Sequence, residues 1–285
     1  PGLRKAEAGE FTRRAFRNGK MDLAQVEGLG DLLEAETELQ RRAALGMAGG
    51  VFSRQVEQWR QSLLMLAAEV EAVLDFADEG DVPTLPADFG ARLMVLDDDL
   101  QGWLARPRAE ALREGFRVVI AGPPNAGKST LFNALVDDEA AIASPIPGTT
   151  RDVLTRPVAL GGVPFLFVDT AGLRGESGDA IEEIGMDRAR GELVRADLVL
   201  WLGAEGDLPP GAWNIEAQID RAGHPPKASP RHRLSALTGE GLDALRADLL
   251  AKARHVLPKP GMVVLNRRQH ALLGAAAALP IKGVK

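Results

Sequence analysis

The sequence contains no cysteine. That excludes a disulfide scaffold, a thiolate zinc site and a cysteine nucleophile, and it fits a reducing compartment. No apolar run approaches the roughly 18 residues that a membrane span needs, so no membrane role is expected. Pro1–Glu10 is charged and lacks the apolar core of a signal peptide. It also lacks an initiating Met, which reads as a piece of a longer chain. Positive charge is not in excess: Lys and Arg number 34 against 40 Asp and Glu, a net charge of −6. This balance argues against a protein that coats nucleic acid non-specifically, though it leaves room for a local basic patch. No internal repeat is evident. What is present is globular in character, with 45% hydrophobic and 26% charged residues. A length of 285 residues suggests about two domains.

Three regions separate by pattern. From Phe11 to Arg113 the chain reads as successive helices. Val56, Trp59, Leu63, Leu66, Val70 and Val73 recur at steps of three and four, the apolar stripe of a long helix. Met21–Leu45 carries a less regular version, and Leu93, Leu96, Leu100 and Leu104 mark another helix beyond the acidic break at Asp78–Pro83. From Arg117 the pattern switches to short β-branched runs alternating with helical stretches. Strands are expected at 117–121, 153–160, 163–169 and 197–202, and helices at 181–193 and 242–254, the alternation of a three-layer α/β domain. Met262–Leu279 turns alanine- and leucine-rich and helical again. The economical reading is an α/β domain (residues 114–257) inserted into a helical-bundle domain made of residues 1–113 and 258–285.

Gly122-Pro-Pro-Asn-Ala-Gly-Lys-Ser129 fits G-x-x-x-x-G-K-[ST], with a strand before it and a helix-forming stretch after it. Gly122 and Gly127 let the backbone wrap so that its amides point at phosphate oxygens, and the helix start adds free N–H groups and its positive dipole end. Asn125, Ala126, Gly127, Lys128, Ser129 and Thr130 then line the phosphates of a nucleotide. Lys128 reaches the outer phosphates and Ser129 binds Mg²⁺. Asp169-Thr170-Ala171-Gly172 follows an apolar strand, where the aspartate holds magnesium through water and the glycine amide senses the γ-phosphate. Between these two elements lie Pro147, Gly148, Thr149 and Thr150, a loop whose threonine completes the magnesium shell when triphosphate is bound; Thr150 is the candidate. The three elements in this order point to a P-loop nucleotide switch on a mostly parallel sheet with helices on both faces.

The usual guanine reader, N-K-x-D, is missing. Its best counterpart is Ala217-Gln218-Ile219-Asp220, in which only the aspartate survives. Leu234–Gly241 resembles the second base-contacting loop, with Ser235, Ala236 and Leu237 as candidates. Asp220 is the favoured base reader; the alternative is a solvated loop residue and weakened guanine selectivity.

Together with the flanking helices, these residues resemble the tRNA-modification GTPase family known as MnmE or TrmE. The most specific resemblance lies in Gly9–Gln25, Asp75–Glu79, the Asn125 form of the P-loop, Gly148–Asp152, Asp169–Arg174 and Asn266–His270. The resemblance implies a GTPase domain inserted into a helical domain, a homodimer, and a cytoplasmic protein that binds GTP and GDP. It implies an FAD- and NADH-using partner, MnmG or GidA, with which carbon 5 of the wobble uridine in certain tRNAs is modified. An N-terminal domain that binds a tetrahydrofolate derivative and a C-terminal cysteine motif belong to the family and are not in this sequence. Lys20 matches a position that contacts the folate; its alternative is a surface lysine.

Leu173 stands where many GTPases carry a water-orienting glutamine. The resemblance assigns that role to Glu182, with Glu183 adjacent as the alternative. It also implies K⁺, held by Asn125, Ser144, Ile146 and Thr149 in a loop that includes Pro145; Arg151 and Arg174 are the alternative arginine fingers. Two competing functions remain: another P-loop GTPase of ribosome-assembly type, and a catalytically impaired scaffold fragment.

Overall fold

A computed structural model describes residues 4–75, 84–137, 154–170, 191–224 and 226–278. In chain order the elements are α1 (Glu10–Arg17), α2 (Leu23–Glu34), α3 (Glu38–Ala48), α4 (Val51–Asp75), α5 (Phe89–Leu104), α6 (Ala109–Glu114), β1 (Phe116–Ala121), α7 (Lys128–Asp137), β2 (Leu154–Leu160), β3 (Val163–Asp169), β4 (Leu198–Trp201), β5 (Trp213–Glu216), β6 (His232–Arg233), α8 (Leu242–Val256) and α9 (Arg267–Ala277). The chain divides into two compact units. One holds Pro1–Ala35, Arg41–Glu110 and Pro260–Lys285; the other holds Glu36–Gln40 and Ala111–Lys259. Among the described residues no helix is long and apolar enough to cross a membrane.

The helical unit is built on a seam between α4 and α5. Phe52, Trp59 and Leu66 are the buried residues of α4, and Phe89, Leu96 and Trp103 those of α5. Each set repeats every seven residues, the period that keeps one seam facing a partner helix. Phe52 at the start of α4 lies 5.5 Å from Trp103 at the end of α5, centroid to centroid, so the helices run antiparallel. Trp59 crosses Trp103 edge-on at 5.8 Å, and its indole N–H donates to Asp99 Oδ2 at 2.6 Å. The seam is narrower than the expected stripe: Val56, Leu63 and Val70 are exposed. Val263, Leu265 and Leu273 complete this core. The return helix is also shorter than expected, because Val263, Val264 and Leu265 are buried as non-helical backbone before α9 begins.

Two helices of this unit start with a capping box, which satisfies amides that the first turn leaves open. Asp22 Oδ1 accepts from Gln25 N while Gln25 Oε1 accepts from Asp22 N. Asn266 and Gln269 repeat the arrangement at α9.

The second unit carries a six-stranded sheet in the order β2-β3-β1-β4-β5-β6. All neighbours are parallel except the β2–β3 hairpin. β1 and β3 are almost continuously apolar because the centre of a parallel sheet is covered on both faces. Phe116, Phe165, Phe167, Leu131, Leu135, Leu245 and Leu249 are fully buried. Sequence pattern located β1 to β4 within about two residues, whereas β5 and β6 were not anticipated. Most of the helix expected at 181–193 lies outside the described residues.

Candidate nucleotide-binding site

β1 ends at Ala121, and the chain then turns tightly into α7. Gly122 has φ +151° and Gly127 φ +88°. A Cβ on Gly122 would sit 3.1 Å from the backbone Gly203 N, and one on Gly127 3.0 Å from the side-chain Gln218 Nε2, so Gly122 is crowded by fixed backbone, and the positive φ disfavours a side chain at both. Asn125 takes the left-handed conformation, φ +59°. Lys128 is buried, and its Nζ donates to Pro123 O at 2.7 Å, laying the ammonium along the loop it closes.

The parallel register of β1 and β3 pairs Ile120 with Asp169. That brings the end of β3 to the phosphate loop. Ser129 Oγ donates to Asp169 Oδ2 at 2.7 Å, and Asp169 is wholly buried. Thr170 Oγ1 donates to Ile120 O at 2.9 Å and locks the two strand ends together. A hydroxyl and a carboxylate meeting at a helix N-terminus form the protein's share of a hard-cation shell that phosphate oxygens and water would complete. The donor set fits Mg²⁺ with a nucleotide phosphate.

Beside the loop lies a pocket of about 310 Å³ lined by Gly127, Thr130, Ala217, Gln218, Asp220, Arg221, Ala236 and Leu237. Its floor comes from the end of β5, where Ala217 is buried, and its rim from Asp220 and Leu237, which are exposed. The opposing loop is stiff. Ser235 is wholly buried, its Oγ accepts from Thr238 N at 3.1 Å, and its N donates to Glu240 O at 2.9 Å. Gly241, φ +78°, ends this turn; a Cβ there would lie 2.2 Å from Arg233 O.

A polar cluster holds the next segment against β5. Glu205 Oε1 accepts from Ser229 N (2.8 Å) and Asn214 Nδ2 (2.9 Å), and Lys227 Nζ donates to Asn214 Oδ1 (2.7 Å). The Ser229 amide, with Asn214 and Lys227 nearby, keeps the Glu205 carboxyl below its ordinary pKa. Burial pushes Lys227 down.

The structure thus gathers Asn125, Ala126, Gly127, Lys128, Ser129, Thr130, Asp169 and Thr170 at the phosphate end, and Asp220, Ser235, Ala236 and Leu237 at the other. Ser144, Pro145, Ile146, Pro147, Gly148, Thr149, Thr150, Ala171, Gly172 and Glu182 lie outside the described residues. Lys20 lies in the helical unit as an exposed residue. Gln218 and Arg221 are pocket residues that motif reading passed over. The signal for Gln218 was its place in the degenerate N-K-x-D element.

Comparison with known proteins gives the family. Residues 23–281 match the family model of the MnmE helical domain. The chain is 60% identical over 97% of its length to the tRNA modification GTPase MnmE of Erythrobacter litoralis, covering 65% of that protein. It is 57% identical to the tRNA modification GTPase MnmE of Novosphingobium aromaticivorans (97% of this chain, 66% of the relative). With the MnmE of Rhizorhabdus wittichii it shares 54% (98% and 64%). It therefore spans 64–66% of the length of these relatives. The match of residues 23–281 to the family model, together with this level of identity over nearly the whole chain, places the chain in the MnmE family.

Proposed function

We propose that this chain binds and hydrolyses GTP, and that the hydrolysis serves tRNA modification. The observation that carries the proposal is the 2.7 Å contact between Ser129 Oγ and Asp169 Oδ2 beneath the phosphate loop, with a base-sized pocket bearing Asp220 beside it. Lys128 and the amides of residues 125–130 neutralise and orient the phosphates. Ser129, Thr150 and Asp169 would hold Mg²⁺, which would supply positive charge against the nucleotide phosphates. Asp220 accepts from the guanine N1 and N2 hydrogens. Glu182 orients the attacking water, a role that Leu173 is chemically unable to fill. Asn125, Ser144, Ile146 and Thr149 would hold K⁺, which would supply the positive charge that an arginine finger supplies elsewhere.

In the complete protein this switch works as a cytoplasmic homodimer with an FAD-dependent partner on carbon 5 of wobble uridine, and Lys20 belongs to the site of a tetrahydrofolate derivative. Turnover measured with GTP and ATP, in K⁺ and in Na⁺ at matched ionic strength, tests the reading. GTP is expected to be hydrolysed faster in K⁺, with little ATP turnover. Glu182→Ala is expected to abolish hydrolysis while GDP affinity stays within about twofold, since a water-orienting group contributes to the transition state alone. Equal rates in both salts would remove the K⁺ assignment, and loss of GDP binding in the variant would make Glu182 structural.

A further inference from the structure

Asn125 and Gln218 are the two non-glycine residues with positive φ among the described residues, at +59° and +62°. Such conformations are uncommon for side chains of this kind and persist where the surroundings hold them. The two residues stand 93 positions apart, yet Gln218 Nε2 donates to Asn125 O at 3.3 Å. The glutamine stem lies against Gly127 so closely that a Cβ there would meet its Cγ at 3.2 Å. Gln218 O accepts from Arg221 N at 3.0 Å, which closes the turn carrying Asp220. One side chain therefore touches the phosphate loop while its own backbone shapes the base-reading turn.

We propose that Gln218 is a positioning residue that ties the base-reading turn to the phosphate loop through a neutral amide, at the place where the usual guanine reader carries a lysine. The glutamine donates to the loop carbonyl and holds Asn125 left-handed, while Asp220 faces the base. Ala217 stands where the usual element carries asparagine, so the side-chain amide on this turn that reaches the phosphate loop is that of Gln218. The proposal builds on the guanine-nucleotide reading of the site.

The test is GDP affinity by calorimetry, together with KM and kcat for GTP, in four proteins. Relative to wild type, Gln218→Ala is expected to bind GDP about fivefold to tenfold more weakly, the loss of one net hydrogen bond. KM for GTP should rise in parallel, with kcat within twofold. Gln218→Glu keeps the size but loses the donor, and should be at least as weak. Gln218→Lys restores a donor and should return affinity to within twofold of wild type. Wild-type affinity in both Gln218→Ala and Gln218→Glu would overturn the proposal, as would a fall in kcat at unchanged affinity. If Gln218→Ala fails to fold, the isosteric Gln218→Glu carries the test. If the wild type itself binds no GDP, the guanine reading fails first and the tie falls with it.

Discussion

Asp220 is exposed at the rim of its pocket, four residues past the buried end of β5. Its chemistry is legible in a single side chain: a carboxylate only accepts, so it suits the two N–H groups on the guanine edge. An amide at the same place both accepts and donates. Asp220→Asn is therefore expected to weaken GTP binding by about 100-fold, since the amide can accept from one guanine N–H but turns a donor towards the other and loses the charge. It should also improve binding of xanthosine triphosphate, which presents a carbonyl where guanine has an amino group. Competition between the two nucleotides measures the switch; a variant that keeps its preference for GTP would leave Asp220 a solvated loop residue. Motif spacing was enough to select Asp220, because it survives from a known element. Gln218 was not selected, because nothing in its identity announces a left-handed backbone or a partner 93 residues away.

Glu27, on α2, shows what a helix terminus contributes. It accepts from Asn266 Nδ2 (3.0 Å), Arg268 Nε and Nη2 (both 2.9 Å) and Gln269 Nε2 (2.7 Å), all at the start of α9. Partial burial pushes its pKa up, but these hydrogen bonds outweigh burial and hold it below the ordinary 4.5. A carboxyl depressed in the folded state stabilises the fold above its unfolded pKa and loses that contribution as pH falls through the folded value. Glu27→Gln should cost about 2 kcal/mol at pH 7. Urea unfolding should show the gap between variant and wild type closing as pH falls through and below the ordinary carboxyl range. A gap independent of pH would assign the loss to packing. The residues Asp22, Gln25, Asn266 and Gln269, which carried family resemblance in the sequence, are the members of two capping boxes. Local helix chemistry accounts for their spacing. β5 escaped sequence reading for the opposite reason: Trp213 and Ile215 alternate with the buried polar Asn214 and Glu216 over only four residues, too short a run for the alternation to stand out. β6 has only two residues, too few for any periodicity.

At the scale of the molecule, each unit has its own core, and the described residues of the candidate nucleotide site belong to one of them. Trp103 packs against Phe52 and Trp59 in the helical unit, and the Arg106 guanidinium sits 3.5 Å over its ring. Trp103→Ala removes a buried aromatic and should cost about 3–5 kcal/mol. Calorimetry is expected to show the transition of the helical unit moving to lower temperature, with GDP raising the transition of the other unit as it does in wild type. A matching loss of GDP affinity would show that the site depends on the helical core.

The sequence by itself determined what depends on neighbours along the chain. The P-loop, the aspartate at the end of β3, the caps and the alternation of strand and helix are all set by spacing over a few residues. A loop of given φ values or a first helical turn satisfies its own hydrogen bonds locally. Tertiary structure alone decided which distant groups meet. The β1–β3 register delivers Asp169 to Ser129 across 40 residues, the end of β5 delivers Gln218 to Asn125 across 93, and the return of the chain delivers Asn266 to Glu27 across 239. Such pairings follow from strand order and core packing, which depend on apolar surface buried across the whole chain; motifs had marked Ser129 and Asp169 individually, but their neighbours along the chain do not encode the contact.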